Sequence, residues 1–249
     1  MPIVGLLHPG EMGAAVGAVA RADVLWAPAG RSDATAERAR RAGLTGVDLD
    51  ELLARADVVL SICPPHAALD VARGTAGFRG VYCDANAVSP ATAREVGKTV
   101  EAAGATFVDG GIVGGPPTEP GTRLYLSGAA APAVAEVFGD TDLEPVALGD
   151  EIGAASALKM CYAGWSKGTA ALLLALVEAA DALGVGEALR AEWERSVPGM
   201  AGRLERAEAS AAKKGWRWVG EMREIDATLR AAGVPHGFHA AAAEIFGRR

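Results

Sequence analysis

The sequence predicts an α/β fold: a doubly wound parallel sheet, then a long helix, then a small all-helical domain. Up to about residue 149, short apolar runs alternate with alanine-rich amphipathic segments. This alternation of strand and helix is typical of a parallel sheet covered on both faces. From residue 153 the chain reads as helix only, first as one long segment and then as shorter ones. We therefore expect two domains, 1–150 and 151–249.

Six strands are predicted in the first domain, because each is a short apolar run that ends at a loop containing Gly, Pro, Asn or Ser. They cover residues 3–7, 23–27, 58–62, 81–84, 106–109 and 123–127, and the helices between them begin near Gly10, Ser32, Asp50, Pro65 and Ser89. Right-handed crossovers bring the carboxyl ends of parallel strands to one edge, where ligands bind. The loops after the strands therefore hold the candidate functional residues.

The second domain begins with a helix that is predicted to run from Gly153 to about Leu183, far longer than the ~11 residues of an average helix. Breaks at 184–186, 198–199, 214–215 and 233–235 then predict shorter helices. A domain this small buries a long apolar helix poorly on its own. We therefore expect a homodimer in which the helical domains pack together.

Composition and charge narrow the class of partner. The chain of 249 residues is 50% hydrophobic, and its net charge of -7 argues against nucleic acid or an anionic membrane as partner. The most apolar stretch, residues 168–177, is shorter than the ~20 residues that cross a bilayer, and the N-terminus has no signal-peptide pattern. Three cysteines in apolar surroundings indicate reduced thiols. We expect a cytoplasmic protein that acts on a small molecule.

The first loop has the pattern of a dinucleotide site. An apolar run enters a tight turn, and Gly10 and Gly13 occupy the second and third glycine positions of a GxGxxG motif, with His8 at the first. A helix that begins here directs its unpaired N–H groups at phosphates. The alternative is close packing of an alanine-rich helix against the strand. The predicted cofactor contacts are His8, Pro9, Gly10, Glu11, Met12 and Gly13.

The second loop indicates which dinucleotide is bound. No carboxylate stands at the end of the second strand to accept ribose hydroxyls, and Arg31 and Ser32 follow instead. A guanidinium and a hydroxyl suit a 2′-phosphate, so we predict NADP(H), although Asp33 lies just beyond them. The alternative is a solvated arginine beside a serine that caps the next helix.

Three further loops supply candidate contacts. Cys63, Pro64 and Pro65 follow the third strand and are predicted to face the cofactor. Asn86 and Ser89 follow the fourth strand and are predicted to contact substrate, Asn86 also the cofactor; turn and cap duty is the alternative. After the fifth strand, four glycines between 110 and 115 allow close approach of backbone to a ligand. Val113 and Gly114 in this segment are predicted substrate contacts.

Lys159 is the predicted catalytic residue. It interrupts the apolar segment 154–163 and shares a helix face with Tyr162 and Ser166. A partly buried lysine has a lowered proton affinity and can act as an acid or base, or it can extend to water or pair with a carboxylate. Trp165 and Lys167 point to other faces and are predicted to serve packing and solubility.

Four segments in this order resemble the β-hydroxyacid dehydrogenase and 6-phosphogluconate dehydrogenase superfamily. Gly10 to Gly13 resembles its GxGxMG turn, 84–90 its DxSTxxxP segment, 109–115 its DAPVSGG segment, and 153–159 the helix with the catalytic lysine. Residues 157–168 and 216–222 resemble a branch of NAD(P)-dependent oxidoreductases with a phosphogluconate-dehydrogenase-like C-terminal domain of unknown function. Ser166 and Glu221 lie in these two segments and are taken as substrate contacts.

The resemblance implies an NADPH-dependent oxidoreductase with a Rossmann-type domain, which transfers a hydride to or from a small carbonyl or hydroxy compound with Lys159 as general acid or base. Two positions depart from the pattern. Val113 replaces a serine that holds a carboxylate, and Tyr162 or Ala163 replaces an asparagine, so Tyr162 is a rival proton donor. Loss of these anchors leaves an imine reductase as an alternative, because a missing partner for a buried charge costs several kcal/mol.

Two alternatives to this oxidoreductase concern particular residues. A non-catalytic dinucleotide-sensing protein is motivated by His8 and by the missing asparagine. A metal site at His236 and His239 is not predicted, because the two histidines have no third ligand nearby.

Overall fold

The structure is a computed structural model and describes residues 1–248. Within these residues the strands are β1 Ile3–Leu6, β2 Asp23–Trp26, β3 Thr45–Gly46, β4 Val58–Ser61, β5 Val81–Asp84, β6 Thr106–Val113, β7 Thr122–Ser127 and β8 Leu143–Ala147. The helices are α1 Glu11–Val19, α2 Asp33–Arg41, α3 Leu49–Arg55, α4 Ala68–Arg73, α5 Pro90–Ala102, α6 Ala131–Glu136, α7 Ala154–Ala182, α8 Gly186–Ser196, α9 Met200–Ala231 and α10 Phe238–Gly247.

All eight strands form one sheet in the order β3-β2-β1-β4-β5-β6-β7-β8. The pairs are parallel except β6 with β7, which is antiparallel. The predicted doubly wound sheet is confirmed. The antiparallel pair follows from the short connection between β6 and β7, because a parallel return needs a crossover of a dozen residues or more.

Two strands were not predicted from the sequence. β3 has only two residues, and both are exposed, so it carries no apolar pattern. β8 contains Pro145, a residue that interior strands exclude, and it lies at the sheet edge where a missing N–H is tolerated.

Apolar side chains cover both faces of the sheet. Val58 and Leu60 of β4 pack with α1, α2 and α6 on one face, whereas Val59 between them packs with α3, α4 and α5 on the other. Burial on both sides explains why the central strands read as continuous apolar runs instead of alternating ones. Each fully buried Leu or Val stabilises the fold by roughly 1.5–3 kcal/mol.

The chain divides into two compact units, Met1–Lys159 and the residues from Met160 onward. The division falls within α7, which is one continuous helix across it. The domain boundary expected at residue 150 stays a prediction.

The second unit contains the remainder of α7 together with α8, α9 and α10. The expected break at 214–215 is wrong, because α9 runs unbroken from Met200 to Ala231. Gly215 is buried within that helix, so its lack of a side chain serves packing. Trp218 of α9 contacts Phe246 of α10 edge-on at 5.0 Å between ring centroids. The turn between these helices is closed by Asp226, which accepts a hydrogen bond from the backbone N–H of Gly237 at 2.8 Å.

Helix α7 has about the predicted extent, Ala154–Ala182, and its apolar part is longer than the sequence analysis predicts. Over 29 residues it passes, by length and composition alone, as a helix that could cross a membrane, with a mean hydropathy of 1.3 in its most apolar window. The apolar window of 18 residues in this helix is longer than the predicted apolar stretch 168–177. A core helix of a soluble protein passes the same test, so the observation is weak evidence for a membrane span.

Candidate active site

The turn after β1 is shaped for a phosphate. Gly10 caps α1, and its backbone N–H donates to the carbonyl of His8 at 2.8 Å, which closes the turn. A Cβ on Gly13 would overlap that same carbonyl, so only glycine lets α1 pack against the turn. A Cβ on Gly10 would meet nothing within 4 Å, so the face above Gly10 is open. These residues fit a dinucleotide pyrophosphate, which needs an open glycine at the start of a helix.

His8 takes the place of the first glycine and brings an imidazole to the turn. Burial, with a smaller contribution from the charge of Arg31, lowers the pKa of His8 to about 4, so the ring is neutral at pH 7. Its Nδ1 atom is buried and has no hydrogen-bond partner within the described part of the chain. A buried polar atom without a partner at a ligand turn is consistent with a group that is satisfied when ligand binds.

The loop after β2 carries the two residues predicted to bind a 2′-phosphate. Arg31 is exposed. Ser32 caps α2, because its Oγ accepts from the Thr35 N–H at 3.3 Å, and Arg38 donates to the Thr35 hydroxyl at 2.9 Å. The capping alternative for Ser32 is therefore confirmed, and its role toward a phosphate stays a prediction.

Asn86 ties two of the candidate loops together. Its Oδ1 accepts the backbone N–H of Cys63 after β4, and its Nδ2 donates to Ser61 Oγ at 3.0 Å and to Asp84 Oδ1. The amide thus makes three hydrogen bonds inside the protein, and the side chain is 2% exposed. It holds the loops after β4 and β5 in place, which leaves the backbone of these loops for ligand contact.

Two groups in this network are neutral. Burial, followed by the charge of Asp109, raises the pKa of Asp84 to about 8. Burial and the neighbouring Asp84 raise the pKa of Cys63 to about 12. The Cys63 thiol is therefore protonated at neutral pH and is no nucleophile.

Ser89 acts as a cap and not as a free hydroxyl. It is buried, precedes α5 and accepts a hydrogen bond from the backbone N–H of Thr92 at 3.2 Å. Asn86 and Ser89 thus serve the turn and the cap, and their predicted contacts with ligand stay predictions. Pro64 and Pro65 lie partly exposed after β4, and their predicted contact with the cofactor stays a prediction.

The glycine segment after Asp109 is a strand and not a loop, which corrects the sequence analysis. β6 continues to Val113 and pairs with β7 throughout. Val113 is buried in the sheet, and Gly114 ends the strand with φ of 124°. A Cβ on Gly114 would lie 2.7 Å from the Thr122 hydroxyl, so this turn requires glycine.

Gly111 brings the start of α7 onto the sheet. A Cβ on Gly111 would lie 2.8 Å from the carbonyl oxygen of Ala155 and 3.0 Å from Cβ of Lys159. The turn of α7 that carries Lys159 therefore rests directly on β6, and the Lys159 side chain is partly exposed. A Cβ on the neighbouring Gly110 would lie 3.2 Å from Cα of Ala85, so β6 separates Lys159 from the loop that Asn86 holds by the width of one strand.

A buried carboxylate that the sequence analysis overlooked holds the start of α7. Asp109 is fully buried, and its Oδ2 accepts hydrogen bonds from the backbone N–H groups of Gly153 and Ser156, both at 3.0 Å. Ser127 donates to the same oxygen at 3.1 Å, and the Ser156 hydroxyl donates to Oδ1 at 2.6 Å. The sequence signals were a charged residue at the end of the predicted strand 106–109 and its place as the first residue of the segment 109–115.

The predicted residues of the second unit differ in exposure. Tyr162 is 50% exposed, and Ser166 is also exposed. Glu221 is buried and forms an ion pair with Lys167 at 2.5 Å, and Lys167 Nζ lies 5.7 Å from the centroid of the Trp218 ring. The prediction of Lys167 as a solubility residue is therefore wrong, since its charge is largely buried in a pair.

The two C-terminal histidines have structural partners. His236 lies 3.5 Å from Asp226, and His239 Nε2 lies 3.1 Å from the carbonyl oxygen of Gly164. Among residues 1–248 no group of three or more His, Cys, Asp or Glu side chains could hold a metal ion.

The chain is similar to one protein family and to one curated protein over part of its length. Residues 180–248 match the family described as Domain of unknown function (DUF1932). An uncharacterized 28.5 kDa protein of Methanothermus fervidus is 33% identical over 160 residues, which is 63% of this chain and 61% of that protein. The chain thus spans about three fifths of the length of this curated relative.

Solved structures match over nearly the whole chain. A conserved protein of unknown function, described as structurally similar to 3-hydroxyacid dehydrogenases, is 29% identical, with 99% of this chain and 96% of that chain covered and a TM-score of 0.71. A 3-hydroxyisobutyrate dehydrogenase from Salmonella typhimurium is 16% identical, with coverages of 100% and 94% and a TM-score of 0.76. A reductive aminase from Aspergillus terreus in complex with NADPH and ethyl levulinate is 18% identical, with coverages of 100% and 93% and a TM-score of 0.60.

The last two likenesses, and those to solved imine reductases, concern the fold. The conserved protein at 29% identity and the DUF1932 match agree with the same architecture: a sheet with a glycine turn after β1, followed by the long helix that bears Lys159. Residues 180–248 match DUF1932, and the chain shares its fold with 3-hydroxyisobutyrate dehydrogenases, which agrees with the resemblance of its sequence to the β-hydroxyacid dehydrogenase and 6-phosphogluconate dehydrogenase superfamily.

Proposed function

We propose that the protein is an NADPH-dependent oxidoreductase that transfers a hydride to or from a small carbonyl or hydroxy compound. The observation that carries the proposal is the close contact of β6 at Gly111 with the turn of α7 that bears Lys159. Strand β6 belongs to the same sheet as β1, whose turn fits a pyrophosphate. The carboxyl ends of parallel neighbours β1, β4, β5 and β6 lie along one edge, which is the ligand edge of such folds.

Lys159 is the general acid and base of this proposal. The bound nicotinamide cofactor supplies or accepts the hydride. Lys159 gives a proton to the substrate oxygen during reduction and takes it back during oxidation, a role that contributes about 10² to 10⁴ in rate. Tyr162, three residues further along α7 and half exposed, is the rival donor.

NADPH rather than NADH is supported by the loop after β2. Arg31 is exposed, its charge reaches the His8 turn, and no carboxylate precedes it after β2. A guanidinium favours the two negative charges of a 2′-phosphate. The turn formed by His8, Pro9, Gly10, Glu11, Met12 and Gly13 would hold the pyrophosphate, with backbone N–H groups at the start of α1 as the donors.

An imine reductase on the same scaffold is the second candidate. Val113 is apolar and buried at the position where the resemblance has a carboxylate-binding serine, so a substrate without a carboxylate fits this departure better. A reductive aminase with NADPH bound shares the fold.

A substrate panel tests these proposals. Purified protein is mixed with NADPH and with ketones, aldehydes, 2-ketoacids and cyclic imines, and NADPH oxidation is followed by absorbance. Turnover of carbonyl compounds supports the first proposal, and turnover of imines alone supports the second. Tight NADPH binding without turnover of any compound would instead favour a dinucleotide-sensing protein.

We also propose a homodimer built through the second unit, in the cytoplasm. Helices α7, α8 and α9 border an open groove of about 610 Å³, whose apolar lining includes Trp165, Leu172, Leu176, Trp193 and Met200. A groove of this composition is typical of a protein interface. The three cysteines are free thiols, as a reducing compartment allows.

A further inference from the structure

Helix α7 lacks a cap from its own sequence. Gly153, which precedes it, has φ of 102° and no side chain, and the first N–H groups of any helix need acceptors. Here the acceptors come from the sheet. Asp109 of β6 accepts from Gly153 and Ser156, and Ser127 of β7 accepts from Ala155 at 3.2 Å.

The charge and burial of this cap make it specific. The carboxylate lies at the positive end of the helix dipole and receives four hydrogen bonds, two of them from serine hydroxyls. Asp109 and Ser127 are also paired in register across β6 and β7, and both are fully buried. A shift of α7 along its axis would break several charge-assisted hydrogen bonds at once.

Strand β6 caps helix α7 through Asp109 and also contacts it at Gly111. Gly111 lies two residues after Asp109, so both project to the same face of β6. Lys159 lies three residues after Ser156, so both lie on the same face of α7. Asp109 therefore fixes the axial position of α7, and contact with Gly111 fixes its distance from the strand at Lys159.

We propose that Asp109, with Ser127, Ser156 and Gly111, positions Lys159 for proton transfer. Asp109 is a positioning residue in this scheme, and it acts through the first turn of α7 without touching substrate. The proposal rests on the proposed function, because it assigns a purpose to the placement of the catalytic lysine.

Two glycine variants give a matched test. In Gly111→Ala the new methyl group would lie 2.8 Å from the Ala155 carbonyl and displace α7, whereas in Gly97→Ala it would lie 2.8 Å from the Phe107 ring and displace α5. Both changes strain a helix against β6, and only the first moves Lys159. We expect similar losses in melting temperature for the two variants. We expect kcat to fall at least tenfold in Gly111→Ala only, with the Kd for NADPH unchanged, because a misplacement of about 1 Å can cost 10² in rate.

A double-mutant cycle separates positioning from general damage. In a Lys159→Met background, Gly111→Ala should lower kcat no further, because the group that it misplaces is gone. If Gly111→Ala lowers kcat by the same factor with and without Lys159, or leaves kcat unchanged in the native chain, the proposal is overturned.

A polar series tests the cap in the same way. Ser156→Ala removes one hydrogen bond to Asp109, and Asp109→Asn removes the charge but keeps an acceptor oxygen. We expect both to lower kcat severalfold with little change in KM. Asp226→Asn is the control, because Asp226 is a buried carboxylate that accepts the N–H of Gly237 before α10. It should cost stability and leave kcat intact, and an equal loss of kcat in the control would contradict the proposal.

A readout without turnover keeps this proposal separate from the proposed function. Reductive methylation of Lys159, followed by peptide mass mapping, reports the environment of its amine directly. We expect Gly111→Ala to change this labelling rate severalfold and Gly97→Ala to leave it unchanged, whatever the substrate is. Unchanged labelling in both variants would overturn the positioning role. Absence of turnover with every compound of the substrate panel would overturn the proposed function, while the labelling result would still decide whether Gly111 positions the Lys159 amine.

Discussion

At the carboxyl edge of the sheet in the first unit, buried polar groups bond to one another, whereas helix α7 in the second unit leaves large apolar side chains exposed. Asp84, Asn86 and Asp109 are each less than 3% exposed and linked by hydrogen bonds to neighbouring loops or to α7. Trp165, by contrast, is 73% exposed, and Leu172 and Leu176 are 43% and 47% exposed. The first region is complete within one chain, and the second has the composition of a surface that another protein covers.

The largest expected effect concerns the chemistry of the first region. Lys159→Met keeps an unbranched helix former of similar length, so fold and NADPH binding should survive. Turnover should fall by roughly 10² to 10⁴ on whichever substrate the panel identifies. Tyr162→Phe is the matched comparison, because it removes only the rival donor. If Tyr162→Phe is the more damaging and Lys159→Met stays within a few-fold of the native rate, the lysine is not the proton donor.

The next effect concerns the exposed region. The double variant Leu172→Asp and Leu176→Asp places two charges in the groove between α7 and α9, where a second copy would have to desolvate them. We expect the dimer Kd to rise by at least about 100-fold, roughly 2.7 kcal/mol, as measured by light scattering against concentration. Leu183→Asp is the control, since Leu183 is 77% exposed and absent from the groove lining. A native chain that is already monomeric at micromolar concentration would refute the dimer.

The two regions also differ in how far the sequence predicts them. The β1 turn is predicted, and the N-caps at Ser32 and Ser89 are given as alternatives, because their signals are local: a glycine spacing, or a serine before a helix. The cap at Asp109 was missed because its partners Ser127 and Ser156 lie 18 and 47 residues away. No periodic pattern in a sequence indicates a hydrogen bond between residues that lie so far apart along the chain.

Two predictions for the second unit fail for a related reason. Lys167 was taken for a surface lysine because Glu221, its partner, lies on another helix. The glycine at 215 was taken for a helix end, whereas burial of α9 at that point makes a small residue useful within the helix. Tertiary packing overrides helix propensity at such positions.

Buried titratable groups in the first region should make the free energy of unfolding depend on pH. The pKa of Asp84 is raised to about 8 from an ordinary 3.8, so between these values the native state holds a proton that the unfolded state has lost. The stability that this proton provides is complete below pH 3.8 and is lost as the pH rises towards 8. His8 acts in the opposite direction, since its pKa falls from 6.5 to about 4, and its effect is confined to pH below 6.5.

The window from pH 6.5 to 8 therefore isolates the carboxyl group. In urea unfolding, the native chain should lose up to about 2 kcal/mol across this window, at about 1.4 kcal/mol per pH unit. Asp84→Asn keeps the acceptor for Asn86 and cannot ionise, so its stability should vary much less. Asp70→Asn, at an exposed ion pair, serves as the control and should follow the native curve. Parallel curves for Asp84→Asn and the native chain would show that Asp84 is already ionised at pH 6.5.

The smallest expected effect concerns the loop after β2, where the first region meets solvent. Arg31 is exposed, so its interaction with a 2′-phosphate is screened by water and salt and is worth less than a buried pair. Arg31→Ala should raise the Kd for NADPH roughly tenfold, about 1.4 kcal/mol, and leave the Kd for NADH nearly unchanged. Fluorescence titration at 50 and 300 mM salt sharpens the test, because the native preference for NADPH should shrink as salt rises. Arg38 in the adjoining helix α2 donates to the Thr35 hydroxyl, so Arg38→Ala serves as the matched loss of one positive charge. An equal loss of affinity for NADPH and NADH in Arg31→Ala would mean that the arginine supports the loop and does not read the phosphate.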